Sequence, residues 1–285
     1  MLSVIVLNCN KAGYSQMLLD SLLATSGVPL ELILVDNGSS DNTGAMLAAF
    51  APRAEAAGFP CRVLSFAENI GAIRGRNEAM AVARGEWFAF VDNDVVVRDR
   101  DWAQQLIGRL EAEPDLGIVS PKILFPWEPY DIEFCGCEVT PSGRIIYRGR
   151  GDARDDARYA EPIDCPCLIS ACIVFRRRLY DEFGGLDEVF SPVQSEDLDF
   201  CYRVRAGGWR CAVVPEVEMY HWEHTTTSGT SNINFSLVTL RNGRTFVKRW
   251  AEQIALDASQ PDEAAKWREI ERFGLDDVPA PPFRR

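Results

Sequence analysis

The residues with the clearest capacity for chemistry are Asp92-Asn93-Asp94, which interrupt an apolar run: Trp87-Phe88-Ala89-Phe90-Val91 precedes them and Val95-Val96-Val97 follows. Two carboxylates one residue apart at the end of a buried strand repel each other, and burial penalises both charges, so solvent or a cation has to balance them. A divalent metal carrying a phosphorylated substrate does so directly, because hard cations collect carboxylate and phosphate oxygens together. A plain turn stays open as a reading, since Asp and Asn also accept local backbone hydrogen bonds. The second acidic cluster, Ser195-Glu196-Asp197-Leu198-Asp199, opens a segment with Leu198, Cys201, Tyr202 and Val204 at helical spacing. Acids at a helix start are favoured by the dipole alone, so capping accounts for them without catalysis. Tyr220-His221-Trp222-Glu223-His224 holds both histidines of the chain, which suits a metal ligand, an acid-base group or a structural imidazole beside Trp.

The elements that must position these groups alternate. Leu2 to Leu7 and Leu30 to Val35 are apolar β-rich runs, and between them Tyr14, Leu18, Leu22 and Leu23 recur at helical spacing. A helix from Thr43 to Ala57, a strand from Cys61 to Phe66 and a helix from Ile73 to Ala83 follow, the last leading into the strand that carries the acidic triplet. Such alternation predicts a parallel sheet between helices, with ligands at the carboxyl ends of the strands. Asn8, Asn10, Asp36 and Asn69 fall at those ends, where they suit hydrogen bonds to a base and ribose or simply cap loops. No G-x-G-x-x-G follows the first strand and no G-x-x-x-x-G-K-[ST] occurs, which excludes the usual dinucleotide fingerprint and the P-loop.

Past the Trp102 to Glu113 helix and a strand over Gly117 to Lys122 the pattern changes. Glu133 to Val139 and Arg144 to Tyr147 flank Pro141-Ser142-Gly143 as a hairpin, and the charged stretch Gly149 to Ala160 predicts a free loop. Arg176-Arg177-Arg178 reads either as a solvated helix start or as a phosphate contact. In Ser236 to Trp250, cations interleave with aromatics, the pattern of a helix resting on a membrane surface or packing on its own domain. Asp262 to Arg272 predicts a further charged helix, and the Pro-rich end after Val278 a tail, the two together offering a homodimer contact.

With 285 residues, 47% hydrophobic, the chain fills a full core, and its net charge of -12 disfavours nucleic acid as a partner. No uninterrupted apolar stretch reaches the roughly 18 residues of a membrane span. Met1-Leu2-Ser3-Val4 lacks the basic flank of a signal peptide, so a cytoplasmic protein with at most peripheral contact at the membrane's inner face is expected. Nine cysteines fit reduced thiols better than a disulfide framework. Cys135, Cys137, Cys165 and Cys167 leave open a structural zinc, if the two C-x-C pairs meet in space.

Taken in order, these segments resemble the family 2 glycosyltransferases. The matching pieces are Val4 to Asn10, Leu34 to Asp41, Asn69-Ile70-Gly71 through Asn77 to Trp87, Asp92-Asn93-Asp94, Gly184 to Glu188, Glu196-Asp197-Leu198-Asp199 and His221. The resemblance implies an α/β GT-A fold, a mixed sheet flanked by helices with a small C-terminal helical appendage. Residues 1–250 would form the transferase domain, 1–97 its nucleotide-sugar half and 98–250 its acceptor half, with 251–285 as helix and tail. It implies an inverting enzyme that uses a UDP-, dTDP- or GDP-linked sugar, Mn²⁺ or Mg²⁺, and a glycan, lipid-linked or protein acceptor. Leu7, Asn8, Cys9, Asp36, Asn69, Arg74, Asn77 and Asp92 would then contact the donor; many relatives have Thr and Tyr where this chain has Leu7 and Cys9, so part of the base contact is expected through backbone. Asp92, Asp94 and His221 would hold the metal, and Asp197 would be the catalytic base. A non-catalytic relative that only binds sugar or nucleotide, and a sugar nucleotidylyltransferase, are the competing classes; the second normally shows G-G-x-G-T-R-L where this chain reads Asn8 to Tyr14.

Overall fold

The computed structural model describes residues 1–223, 225 and 233–283; His224 lies outside them. In chain order the elements are β1 (Leu2–Asn8), α1 (Ala12–Leu22), β2 (Leu30–Asn37), α2 (Thr43–Ala56), β3 (Cys61–Phe66), α3 (Ala72–Val82), β4 (Trp87–Asp92), β5 (Val95–Val97), α4 (Trp102–Ala112), β6 (Leu116–Leu124), β7 (Ile132–Phe134), β8 (Cys137–Val139), β9 (Ile145–Tyr147), β10 (Ile163–Asp164), β11 (Cys172–Arg176), α5 (Arg177–Phe183), α6 (Glu196–Ala206), β12 (Arg210–His221) and α7 (Phe235–Asp257). Ten strands form one mixed sheet in the order β10-β12-β6-β11-β4-β1-β2-β3, with β5 on β12 and β7 on β6. β1, β2, β3 and β4 run parallel, and β11 enters antiparallel between β4 and β6. The near-continuous apolar runs of β1, β2 and β4 are what a strand covered on both faces requires. Their register sets Asn8 beside Asp36 and Leu7 beside Asp92, which gathers the strand-end polar residues along one edge.

Three expectations change. The run from Glu133 to Val139 is not one strand: β7 joins the main sheet through β6, Gly136 turns the chain at φ 95°, and only β8 pairs with β9. A side chain at that φ is strained, so Gly marks the break. The charged stretch after Gly149 is stitched rather than free: Gly151 N–H donates to the Ile132 carbonyl at 2.7 Å, and the buried Tyr159 donates its hydroxyl to Asp152 at 2.5 Å. The charged helix over Asp262 to Arg272 does not form beyond a 3-10 turn at Asp262–Ala264. That segment instead packs by side chains: Trp267 lies against the Arg150 guanidinium, 3.9 Å from its ring centroid, and Phe273 stands edge-on to Trp127. Helix propensity is a weak preference, and these tertiary contacts override it.

Arg177 and Arg178 start α5, each paired four residues ahead with Asp181 and Glu182, which matches the solvated helix start. α7 crosses the 250 boundary with a kink at Trp250, burying Asn242, Phe246 and Ile254 and leaving Leu237 and Leu240 exposed. No helix of the described residues is long and apolar enough to cross a membrane. The two C-x-C pairs do meet: the Cys137 sulfur lies 3.2 Å from that of Cys167 and also contacts Cys165. Among the described residues, the one group of three possible metal ligands lies elsewhere.

Candidate active site

A cleft of about 240 Å³ opens at the carboxyl ends of β1 and β4, and Asp92, Asp94, Glu196, Asp197 and His221 all line it. Strand pairing assembles the first group. Asp92 ends β4, Asp94 follows in a tight turn, and β12 lays His221 opposite Val95, the first residue of β5. The ligand atoms of Asp92, Asp94 and His221 lie within 4.8 Å of one another, with His221 Nε2 3.3 Å from Asp94 Oδ1. Behind the imidazole, β7 brings Glu133, whose carboxylate meets His221 Nδ1 at 2.9 and 3.0 Å. Burial alone would lower the His221 pKa, but Glu133 and Asp94 outweigh it and hold it well above the usual value. Carboxylate oxygens and one imidazole nitrogen, oriented by an outer carboxylate, are a donor set that fits Mn²⁺ or Mg²⁺.

A further part of the lining comes from α6. Edge-on contacts run Phe90 to Phe175 to Phe200, with centroids 5.2 Å apart at each step, so the helix is locked to β11 and β4 by its apolar face. Of its first-turn acids, Asp197 caps in part and also reaches out of the helix. Ser195 makes no side-chain cap, and Asp197 turns its Oδ2 across to the Ser170 N–H at 3.1 Å while Oδ1 accepts from Leu198 N–H at 2.8 Å. Burial raises the Asp197 pKa despite those two backbone donors, and Glu196 is pushed up to about 7 by burial and by Asp197 beside it. Asp199 is structural: it is buried and holds Arg203, Arg249 and the Trp250 Nε1.

Arg76 joins Asp92 to α6. Its buried guanidinium donates to Asp92, to Ser170 Oγ at 3.0 Å and to Glu196 at 3.4 Å. In the Asp92 carboxyl, burial acts first and raises the pKa, Arg76 opposes it and Asp94 adds to it. Sequence reasoning chose Arg74 instead, which points outward to Glu188 at 3.6 Å with more than half of each side chain exposed. The missed signal was periodic: Arg76 shares the buried helix face of Ile73 and Met80.

The other donor candidates divide. Leu7 and Asp92 line the cleft. Cys9, Asp36 and Asn69 gather at the strand ends outside it: Asn69 Nδ2 reaches the Cys9 sulfur at 3.4 Å, and Asp36 accepts from Ser39 N–H at 3.1 Å. Asn8 is fully buried and donates to the Val6 and Val35 carbonyls, so its amide lies inside the sheet rather than on the cleft. Asn77 bonds both backbone groups of Leu186, at 2.8 and 2.9 Å, which ties α3 to the Gly184-Gly185 turn.

A model of the family described as "Glycosyl transferase family 2" matches residues 3–184. This chain belongs to glycosyl transferase family 2. A second model, "Glycosyltransferase like family 2", matches residues 152–241. The uncharacterized protein y4gI of Sinorhizobium fredii is 32% identical over 68% of this chain, which spans only 21% of that relative's length. Succinoglycan biosynthesis protein ExoO of Rhizobium meliloti is 25% identical over 90% of this chain and 70% of its own. Among solved structures, the mannosyltransferase PcManGT from Pyrobaculum calidifontis, in complex with GDP-Man and Mn²⁺, superposes with a TM-score of 0.60 at 19% identity, covering 92% of this chain and 66% of that one. The fold is that of the GT-A glycosyltransferases.

In this family 2 chain one further residue braces the turn that leads into Asp197. Gln194 and Ser195, immediately before Glu196, both have positive φ, 83° and 70°. Such backbone costs about 1–3 kcal/mol per non-glycine residue and persists only when neighbours hold it. The holder is Asn242 of α7, fully buried, which donates to the Val193 and Gln194 carbonyls at 2.8 and 2.9 Å. If Asp197 is the base, Asn242→Ala is expected to lower kcat about 10- to 100-fold, since misplacing a catalytic group by about 1 Å has an effect of that size. Steady-state kinetics checks it: an unchanged kcat would remove Asn242 from this role.

Proposed function

We propose that the chain is a metal-dependent, inverting glycosyltransferase that moves a sugar from a nucleotide-diphospho-sugar to an acceptor hydroxyl in surface polysaccharide or glycan assembly. The observation that carries this reading is that one cleft holds a carboxylate-imidazole cluster, Asp92, Asp94 and His221, and a further carboxylate, Asp197, supplied by α6. In an inverting displacement the acceptor oxygen attacks opposite the departing diphosphate, so a base and a cation are needed on opposite sides of the sugar. Asp197, its carboxylate fixed by Ser170 N–H and Leu198 N–H, takes the acceptor proton as the new bond forms. Asp92, Asp94 and His221 would hold Mn²⁺ or Mg²⁺, which supplies positive charge to the leaving diphosphate. Arg76 keeps Asp92 turned toward that side and ties it to the loop that fixes Asp197. The manganese and GDP-mannose named with the mannosyltransferase structure support the cofactor and donor class, and the succinoglycan biosynthesis name of ExoO supports a polysaccharide role.

Calorimetry with UDP, GDP and dTDP, with and without Mn²⁺, followed by an acceptor-dependent transfer assay, tests the reading. Metal-dependent binding of one nucleotide with transfer is the expected result; no nucleotide binding under either condition overturns it. Within the same reading, Glu133 fixes the tautomer of His221 so that Nε2 faces the metal ligands. Loss of such an outer-shell carboxylate costs about 10- to 100-fold in metal affinity. Glu133→Ala should therefore weaken Mn²⁺ binding by that amount, and Glu133→Gln, which keeps an acceptor for Nδ1–H, by less. Mn²⁺ titration followed by electron paramagnetic resonance measures both, and equal affinity in Glu133→Ala and wild type would refute the role.

A further inference from the structure

Beside the cleft lies a second cavity of about 370 Å³, and Tyr147 lines both. Its walls are β9 with the residue before it and the C-terminal segment at 265–268. Arg144, Arg150, Lys266 and Arg268 line it together with Tyr147 and Trp267, and no carboxylate does. In a chain of net charge -12 this is a local reversal of sign. Two of the cations are answered from behind, Arg150 by Glu223 at 2.8 Å and Arg268 by Asp152 at 3.2 Å. Arg144 and Lys266 have no ion pair within 4 Å among the described residues; Arg144 feels the Asp262 carboxylate at longer range, where Ser142 Oγ donates to it at 2.6 Å. Trp267 is 44% exposed although it stands edge-on to Tyr147 and covers Arg150, so aromatic surface remains for an apolar sugar face. A cluster of cations in excess over the carboxylates that face it, beside an exposed aromatic ring, recognises a saccharide that carries an anion.

We propose that this cavity is a subsite for the anionic group, carboxylate or phosphate, of an acceptor saccharide whose reacting sugar lies in the cleft. Its acceptor role rests on the transferase reading; its anion binding does not. The test uses the full chain in metal-free buffer, so that the candidate metal centre does not recruit phosphate. Three probes are titrated by tryptophan fluorescence: a hyaluronan tetrasaccharide, neutral chitotetraose and inorganic pyrophosphate. The tetrasaccharide or pyrophosphate is expected to bind at least about tenfold more tightly than chitotetraose, more weakly as salt rises, and the one that binds identifies carboxylate or phosphate as the anion. The double variant Arg144→Glu and Lys266→Glu, both at exposed positions, should lose that preference while keeping its thermal stability. Equal binding of neutral and anionic probes, no binding of any probe, or a preference that survives the double variant would overturn the proposal. Nucleotide binding with Mn²⁺, measured on the same samples, separates the two readings: its absence beside intact anion binding breaks the transferase reading alone.

Discussion

Asp197→Asn should remove turnover and leave donor binding intact. A positioned general base contributes about 10²- to 10⁴-fold, so kcat falls by that factor while the affinity for the nucleotide with Mn²⁺ stays within error. The substitution keeps the shape but only one acceptor: an Asn oxygen can still accept from Ser170 N–H, while its amide nitrogen gives up the bond that Oδ1 accepts from Leu198 N–H. It also removes a charge that burial makes costly. Because burial holds the folded-state pKa of Asp197 above its ordinary value, the group stabilises the fold below the unfolded pKa and loses that contribution as pH rises through the folded one. The stability of the variant relative to wild type should therefore rise as pH increases from acid toward neutral, against a constant loss from the backbone bond that the amide cannot accept. Glu196, pushed up to about 7 partly by Asp197, should titrate lower once that neighbour is neutral. For wild type, the acid limb of kcat/KM should lie above the ordinary carboxylate range, since only ionised Asp197 accepts a proton. Full activity in the variant would dismiss it as the base.

The parts of this site that were legible in the sequence are those fixed by local pattern. Asp92 and Asp94 stood out because they end an apolar run, and β1, β2 and β4 were readable because strands buried on both faces are apolar throughout. Asp197 and His221 gained meaning from their order along the chain. Glu133 had no local mark; it reaches His221 only because β7 pairs with β6 and β6 with β12, a relation across 88 residues. Arg76 was passed over because the resemblance implied the outward-facing Arg74 as the donor contact. The strained pair Gln194 and Ser195, and their holder Asn242, depend on backbone geometry that residue type does not encode, since neither is a glycine. The C-terminal segment misled for the opposite reason: its charge pattern suits a helix, and tertiary contacts at Trp267 and Phe273 win.

Asp94→Ala should abolish metal-dependent donor binding, the converse of the Asp197 result. Asp94 is buried, and its carboxylate is one of three groups whose ligand atoms converge within 4.8 Å. The two that remain are already engaged, Asp92 by Arg76 and His221 by Glu133. With Asp94 gone, the cluster keeps one free-facing imidazole nitrogen and a carboxylate shared with a guanidinium, a poor set for a hard cation. On the metal-dependent reading, several kcal/mol of leaving-group stabilisation would depend on that ion, so turnover should drop about a thousandfold or more. Nucleotide calorimetry should show wild type gaining affinity on addition of Mn²⁺ and the variant gaining none, while the metal-free affinities of the two stay alike. The fold should survive, because the change removes one of several like charges in the cleft and the Trp222 N–H to Asp94 carbonyl bond at 3.0 Å is made by backbone. An equal loss of donor affinity in Asp94→Ala and Asp197→Asn would mean that the metal-ligand cluster and Asp197 do not divide the labour between leaving group and acceptor, and both assignments would fall together.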